Sequence, residues 1–279
     1  VTQKSGTVMK VDSFFDMLWK DYVQIAPQAQ KIQDIFTGLG ETVFNDHVAF
    51  RTFSDSPVDL DHLEPVILKM GYRRQNTYHF EEKKLIARSY SHSEADLPRI
   101  FLSELRRDLL SKKAQEILSS LVEQISADVI EGPEIFAEGL LWKPIPYTDY
   151  SRLLQESEYA AWLVSMGLRV NHFTVSVNHL KQLVELEQVI ALLKENGYLI
   201  NQAGGEIKGV PSDLLIQAST LADRINVTYG CGHVQNIPSC FYEFAKRFED
   251  AEGRLFDGFI EGNADKIFES TNMDRESSD

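Results

Sequence analysis

The chain has 279 residues, 43% of them hydrophobic and 25% charged, with 28 basic against 42 acidic side chains and a formal net charge of -14. This is the composition of a globular protein long enough to bury a sizeable core, and it excludes a largely disordered chain. An acidic surface repels phosphate backbones and anionic lipid headgroups, and no local basic patch offsets it, so neither nucleic acid nor a membrane surface is an expected partner.

The first ten residues, Val1 to Lys10, are polar and lack an apolar core, and no later stretch approaches the ~18 apolar residues of a membrane span, so a cytoplasmic protein is expected. Thr2 to Thr7 and Met273 to Asp279 read as frayed ends. The two cysteines, Cys231 and Cys240, are too few and too badly spaced for a zinc ribbon or a disulfide framework, and they suit a reducing compartment.

In chain order, apolar residues at helical spacing (Phe14, Phe15, Leu18, Trp19, Tyr22) predict a helical stretch from Asp12 to Leu39 that covers a sheet. A β-prone run opens at Asp46-His47-Val48-Ala49-Phe50-Arg51. An amphipathic helix follows from Asp59 to Met70, then strands at Arg73 to Glu81, Lys84 to His92 and Arg99 to Glu104. Helical stretches are predicted over Ser103 to Ser126 and Tyr147 to Met166. A second β-prone run, Asn171-His172-Phe173-Thr174-Val175-Ser176, then leads into a helix from Leu180 to Asn196. Strands follow at Leu199 to Ile207, at Leu214 to Tyr229 with a break near Ala222, and at Ser239 to Arg247, before a last helical stretch at Asn263 to Ser270. Gly230-Cys231-Gly232-His233 reads as an irregular turn rather than a second site, and His62, His79, His92 and His179 have no matching partners.

These elements contain one module twice. Each copy begins with an acid or amide followed by histidine, and each helix ends in a Gly-Tyr pair, Gly71-Tyr72 and Gly197-Tyr198, where a left-handed cap is wanted. The histidine-to-glycine spacing is 24 residues in the first copy and 25 in the second. The expected architecture is therefore α+β, a single domain over 1–279 built from two β-α-β-β-β modules, 42–104 and 168–248. A helical insertion occupies 105–167 and a C-terminal extension 249–279.

Side chains alternate along a strand, so His172, Thr174, Ser176 and Asn178 share one face while Phe173, Val175 and Val177 share the other. A polar face of this kind lines a cavity, since polar groups sealed in a dry core would cost free energy. On the first copy His47, Ala49, Arg51 and Phe53 share a face, with Arg51 about 13 Å along it from His47. Aligning Phe101-Leu102-Ser103 with Phe241-Tyr242-Glu243 brings His47, His172 and Glu243 together and puts Ser103 where a fourth ligand would stand. Two imidazoles and one carboxylate leave positions open for substrate and dioxygen, the arrangement of iron(II) oxygenases. A lone strand histidine is ordinarily a hydrogen-bonded structural residue, but two at matching repeat positions favour ligation. Glu243, flanked by Phe241, Tyr242, Phe244 and Ala245, sits in a half-buried strand where an unpaired carboxylate needs a cation. Arg51 is either a substrate-binding guanidinium or an ion-pair partner of Asp46 or another surface acid, and pattern alone leaves both open. Gln217, Ser219 and Thr220 are candidate hydrogen-bonding residues, with strand propensity as the plainer account of Ser and Thr.

The duplicated unit resembles the vicinal oxygen chelate superfold, in which two modules close as a cupped mixed sheet around a metal. More specifically, the chain resembles the 2-oxoadipate dioxygenase/decarboxylase family, once catalogued as a domain of unknown function. The resemblance rests on the Asp46–Arg51 and Asn171–Thr174 runs, on Gly205-Glu206-Ile207-Lys208-Gly209 and on Leu214-Leu215-Ile216-Gln217-Ala218-Ser219-Thr220. Tyr242-Glu243-Phe244-Ala245-Lys246-Arg247 and Ala264-Asp265-Lys266-Ile267-Phe268-Glu269-Ser270-Thr271 complete it, in order across nearly the whole chain. It implies Fe(2+) held by His47, His172 and Glu243, and a small 2-oxo dicarboxylic acid and O2 as the reacting partners. It further implies Arg51 as the essential substrate-binding arginine and a place in lysine catabolism; with such a substrate bound at the metal, His47, Gln217 and Ser219 are candidate further substrate contacts. For 2-oxoadipate the implied products are 2-hydroxyglutarate and CO2. A further substrate contact from the C-terminal region is expected around Phe259 to Asn263. The alternatives within the same superfold are a glyoxalase-like isomerase or hydrolase and a non-catalytic small-molecule-binding module. Oligomeric state is not legible.

Overall fold

The structure, a computed structural model, describes residues 9–94 and 96–272; the two stretches expected to fray lie outside the described residues. Helices α1 (Val11–Ile25) and α2 (Pro27–Gly38) replace the single helical stretch expected over Asp12 to Leu39. The break falls at Ala26 because Pro27 has no N–H to continue the first helix, while its fixed φ suits the first position of the next. The first copy follows as β1 (Asn45–Phe53), α3 (Leu60–Lys69), β2 (Arg73–Phe80), β3 (Leu85–Ser91) and β4 (Arg99–Leu105). Asp59 starts α3 by accepting the N–H groups of Asp61 and His62. Next come α4 (Lys112–Val122), α5 (Tyr147–Glu156) and α6 (Glu158–Met166), the last two parted at Ser157, whose hydroxyl caps α6 by accepting from the Ala160 N–H.

The second copy comprises β5 (Val170–Ser176), α7 (Leu186–Glu195), β6 (Leu215–Ser219), the hairpin strands β7 (Arg224–Thr228) and β8 (Val234–Pro238), and β9 (Phe241–Arg247). Helix α8 (Glu261–Ile267) and a 3-10 turn, Phe268–Thr271, complete the chain. Two expectations need correction here. The second-copy helix begins at Leu186 rather than Leu180, because the N–H groups of Lys181, Gln182 and Leu183 are taken by the Glu41 carboxylate. Leu199 to Ile207 is not a strand; it keeps only the isolated bridge of Ile200 to Thr220, and the next residue, Lys208, makes another to Gln217. Gly204 and Gly205, both at positive φ (68° and 98°), turn the backbone out of the extended form between those bridges.

Seven strands form one curled mixed sheet in the order β2-β3-β4-β1-β5-β9-β6. The copies meet at its centre, where β1 and β5 run antiparallel, and each then pairs in parallel with its own last strand, β1 with β4 and β5 with β9. One face is apolar. Phe50, Phe173, Tyr242 and Phe244 are buried there, with Trp19 5.2 Å from Phe173, Phe36 6.0 Å from Phe244 and Phe136 4.7 Å from Phe50. Each such side chain contributes roughly 1.5–3 kcal/mol by leaving water, which fixes the opposite face of the central strands as the one that carries the polar side chains. Among the described residues no helix is long and apolar enough to cross a membrane.

The seam between α6 and β5 depends on Gly167. Its φ is 75° with ψ -162°, and a Cβ there would lie 2.0 Å from the Gly139 carbonyl oxygen. Gly139 and Leu168 exchange backbone hydrogen bonds at 3.0 and 2.8 Å, so neither side can give way cheaply. Gly167→Ala is expected to destabilise the fold by about 3 kcal/mol or more, read as a lowered urea midpoint at unchanged slope.

Candidate metal centre

The central strands bring three distant side chains together. His47 on β1, His172 on β5 and Glu243 on β9 are all buried, and one potential ligand atom from each lies within 4.8 Å of the others. His172 Nε2 is 3.1 Å from Glu243 Oε2, and His47 Nε2 is 3.5 Å from Glu243 Oε1. Among the described residues no other group of three potential ligands is close enough to hold a metal; His62, His79, His92, His179, Cys231 and His233 stand apart from it.

Each imidazole is oriented by the residue before it in the chain. His47 Nδ1 is 2.7 Å from Asp46 Oδ1, and His172 Nδ1 is 3.0 Å from Asn171 Oδ1. Both partners are acceptors, so each Nδ1 carries the proton and each Nε2 keeps its lone pair, that of His172 toward Glu243 and that of His47 between Glu243 and the Thr174 hydroxyl, which lies 3.0 Å away. Two lone pairs and a fully buried carboxylate facing one another at 3.1–3.5 Å repel unless a cation sits among them. That donor set, with the outer nitrogens already tied down, fits a divalent transition metal. Burial lowers the His172 pKa, against the opposing pull of Glu243, which keeps the ring neutral as a ligand must be.

Asp46 is itself held by Arg247, whose Nε and Nη2 donate to its two oxygens at 2.7 and 2.9 Å. Arg247 also donates to the carbonyls of Phe256 and Gly258 and thereby anchors the C-terminal extension beside the centre. Burial pushes the Asp46 carboxyl up, yet the Arg247 guanidinium and His47 keep it well below the usual carboxylate range. The pair therefore stabilises the fold above about pH 4, the unfolded value, and that contribution is lost as the pH falls toward the folded value. Asp46→Asn is expected to flatten the acid limb of the stability curve and to weaken divalent-metal affinity about 10–100-fold, measured by chelator competition.

Arg51 points from the same face of β1. It is buried and, among the described residues, has no carboxylate within ion-pair distance, so pairing with Asp46 is ruled out. Its Nη2 donates to Thr271 at 3.3 Å and its Nε has no partner. The guanidinium lies over the rings of Trp162 (4.8 Å), Tyr159 (4.9 Å) and Phe268 (5.6 Å). Burial lowers its pKa to about 10, so it remains a cation at neutral pH. With Tyr159, Phe268 and Thr271 it borders a cavity of about 190 Å³ whose lining does not include the triad.

The other candidates occupy varied places. Gln217 Nε2 donates to Glu243 Oε1 at 2.7 Å, whereas the Ser219 hydroxyl is 2.8 Å from that of Ser270. Thr220 Oγ1 both bonds the Tyr242 carbonyl and accepts from the Tyr242 N–H, a backbone role. Ser103 is not the counterpart of Glu243. In the sheet His47 lies opposite Arg99 and His172 opposite Phe241, so two residues further on Phe101 matches Glu243. A shift of two residues keeps the side chain on the same face, which is why the alternation pattern did not expose the error. Ser103 Oγ instead meets the Phe50 carbonyl and the Tyr159 hydroxyl. Phe259, in the expected C-terminal stretch, packs its ring 4.8 Å from His47 and 4.9 Å from Phe101. Arg247, Tyr159, Trp162, Phe268 and Thr271 were missed; Arg247 and Thr271 closed two of the six runs that carried the resemblance, a positional signal with no role attached.

Two related halves joined through β1 and β5, with two imidazoles and a carboxylate converging on one face, have the fold of the vicinal oxygen chelate type. The fold of a glyoxalase-superfamily protein from Ralstonia eutropha JMP134 agrees, with a TM-score of 0.78 at 19% identity over 94% of this chain and 90% of that one. The chain belongs to the 2-oxoadipate dioxygenase/decarboxylase family, whose model matches residues 8–254. It is 34% identical to the chloroplastic/amyloplastic 2-oxoadipate dioxygenase/decarboxylase of Oryza sativa subsp. japonica, over 95% of this chain and 80% of that protein. The structure of hydroxyglutarate synthase from Oryza sativa in complex with 2-oxoadipate is similar across 99% of both chains, with a TM-score of 0.89 at 30% identity.

Proposed function

We propose that this chain is an iron(II)-dependent dioxygenase that converts 2-oxoadipate and O2 into 2-hydroxyglutarate and CO2. The observation that carries the reading is a buried His47-His172-Glu243 cluster on the same sheet face as a buried guanidinium that, among the described residues, has no carboxylate within ion-pair distance. A family relative bound to 2-oxoadipate supports the choice of substrate.

Bound iron(II) would supply the activation of dioxygen and the Lewis acidity at the 2-oxo carboxylate. The protein's residues bind, orient and exclude water. His47, His172 and Glu243 would hold the ion, with Asp46 and Asn171 fixing the imidazoles. Arg51 would take the distal carboxylate, its unpartnered Nε and its fork geometry suiting bidentate recognition. Trp162, Tyr159 and Phe268 would flank that ion pair, while Phe259, Phe101 and Phe241 give the side next to the imidazoles an apolar lining. In the balanced reaction C1 leaves as CO2 and C2 becomes the new carboxyl group with one oxygen atom. The other oxygen atom enters C3 as the hydroxyl.

Anaerobic reconstitution with iron(II), followed by oxygen-uptake and CO2 assays on a panel of 2-oxo acids, tests this. Uptake and CO2 release in equal amounts, greatest with 2-oxoadipate, are expected. Turnover that needs no oxygen, or none with any member, would remove the dioxygenase assignment.

A further inference from the structure

Glu243 offers two oxygens, and the surroundings treat them differently. Oε1 accepts a 2.7 Å hydrogen bond from Gln217 Nε2, while Oε2 accepts none and faces His172 Nε2 at 3.1 Å. Gln217 is itself buried and its carbonyl oxygen has no hydrogen-bond partner, so the amide is not there to satisfy its own polar groups. Its backbone is pinned on both sides. It lies opposite Ala245 of β9, and on its other flank its N–H and C=O bond Lys208 at 3.0 and 2.7 Å. The Gly205–Gly209 segment, which forms no strand, thus still braces this residue, and Gly209, at a φ of 83°, lets that segment turn past the Leu215 carbonyl.

We infer that Gln217 is a positioning residue that confines Glu243 to ligation through the single oxygen Oε2. The inference rests on the iron(II) dioxygenase reading above. Three protein donor atoms would leave a six-coordinate ion three further positions. A 2-oxo acid bound through its keto oxygen and carboxylate would take two, leaving one for dioxygen. A carboxylate free to turn both oxygens toward the ion would occupy that last position. The charge-assisted bond from Gln217 opposes the rotation, because the amide would lose its acceptor in a site water does not reach. Gln217 therefore acts on oxygen access rather than on iron retention or 2-oxo acid affinity.

The test uses full-length protein loaded anaerobically with iron(II), comparing wild type with Gln217→Met, which keeps side-chain length without a donor, and Gln217→Asn in case the first does not fold. Three quantities are read: iron stoichiometry, 2-oxoadipate affinity from the visible absorption of its iron(II) chelate, and nitric oxide affinity of that complex by electron paramagnetic resonance. The variants are expected to keep one iron per chain and 2-oxoadipate affinity within about threefold, while nitric oxide affinity falls at least about tenfold and KM for oxygen rises more than kcat falls. Unchanged nitric oxide affinity, or loss of iron itself, would overturn the role given to Gln217. Failure of the wild type to form the chelate would instead overturn the reading on which it rests.

Discussion

Replacing either His172 or Glu243 with alanine is expected to abolish stoichiometric metal binding and bring oxygen-dependent turnover to background. Each removes one of the three donors found among the described residues, so the loss of affinity should exceed the about 10–100-fold that follows from disturbing a residue that merely orients a ligand. The thermal signature should separate binding from folding. Wild-type protein should gain stability on adding iron(II) anaerobically, because a ligand that binds only the folded state stabilises it by mass action. Neither variant should respond. Glu243→Gln adds a sharper expectation. It removes a buried negative charge opposite two imidazole lone pairs while keeping the volume, so the metal-free protein should be no less stable than wild type even though its metal response is lost. A Glu243→Gln protein that still binds iron one to one, with unchanged melting behaviour, would show that the carboxylate is not a ligand.

Arg51→Ala is expected to weaken 2-oxoadipate binding by about 2–5 kcal/mol, or roughly 30-fold and more in Kd, with iron still bound one to one. The large effect follows from the environment. The guanidinium is buried among three aromatic rings, and its Nε is unpartnered, so a carboxylate arriving there meets a cation already stripped of water. Arg51→Lys should recover only part of the loss, since a compact ammonium cannot reproduce the planar fork or its stacking on Trp162. 2-Oxohexanoate, which lacks the distal carboxylate, should distinguish wild type from Arg51→Ala by no more than a few fold. Isothermal titration of the anaerobic iron protein with both acids checks this. An equal penalty for the two acids would mean that Arg51 shapes the site without holding that carboxylate, and parallel loss of iron would place it at the metal instead.

Much of the architecture was legible because it repeats. The acid-or-amide-histidine pairs at Asp46-His47 and Asn171-His172 mark equivalent strands, and the Gly71-Tyr72 and Gly197-Tyr198 helix ends confirm their register. Glu243 was legible as a carboxylate in an otherwise apolar strand. What escaped the sequence has specific physical causes. Strand alternation has period two, so matching Ser103 instead of Phe101 to Glu243 kept every side chain on its proper face, and only the pairing of β4 with β1 exposes the slip. The Leu199 to Ile207 run reads as a strand by composition, yet Gly204 and Gly205 bend it, and the residue that follows it, Lys208, braces Gln217 instead. Asp46 and Arg247 are 201 residues apart, and Arg51 and Thr271 are separated by 220, so no local pattern could join them. In the C-terminal extension, where a substrate contact is expected around Phe259 to Asn263, Phe259 lies against His47, while Phe268 and Thr271, further along the chain, reach Arg51.

The most direct measurement is anomalous diffraction at the iron absorption edge from crystals grown anaerobically with iron(II). One strong peak per chain is predicted, within about 2.2 Å of His47 Nε2, His172 Nε2 and Glu243 Oε2 together. A peak held by other residues, or one that leaves either imidazole beyond reach, would contradict the account.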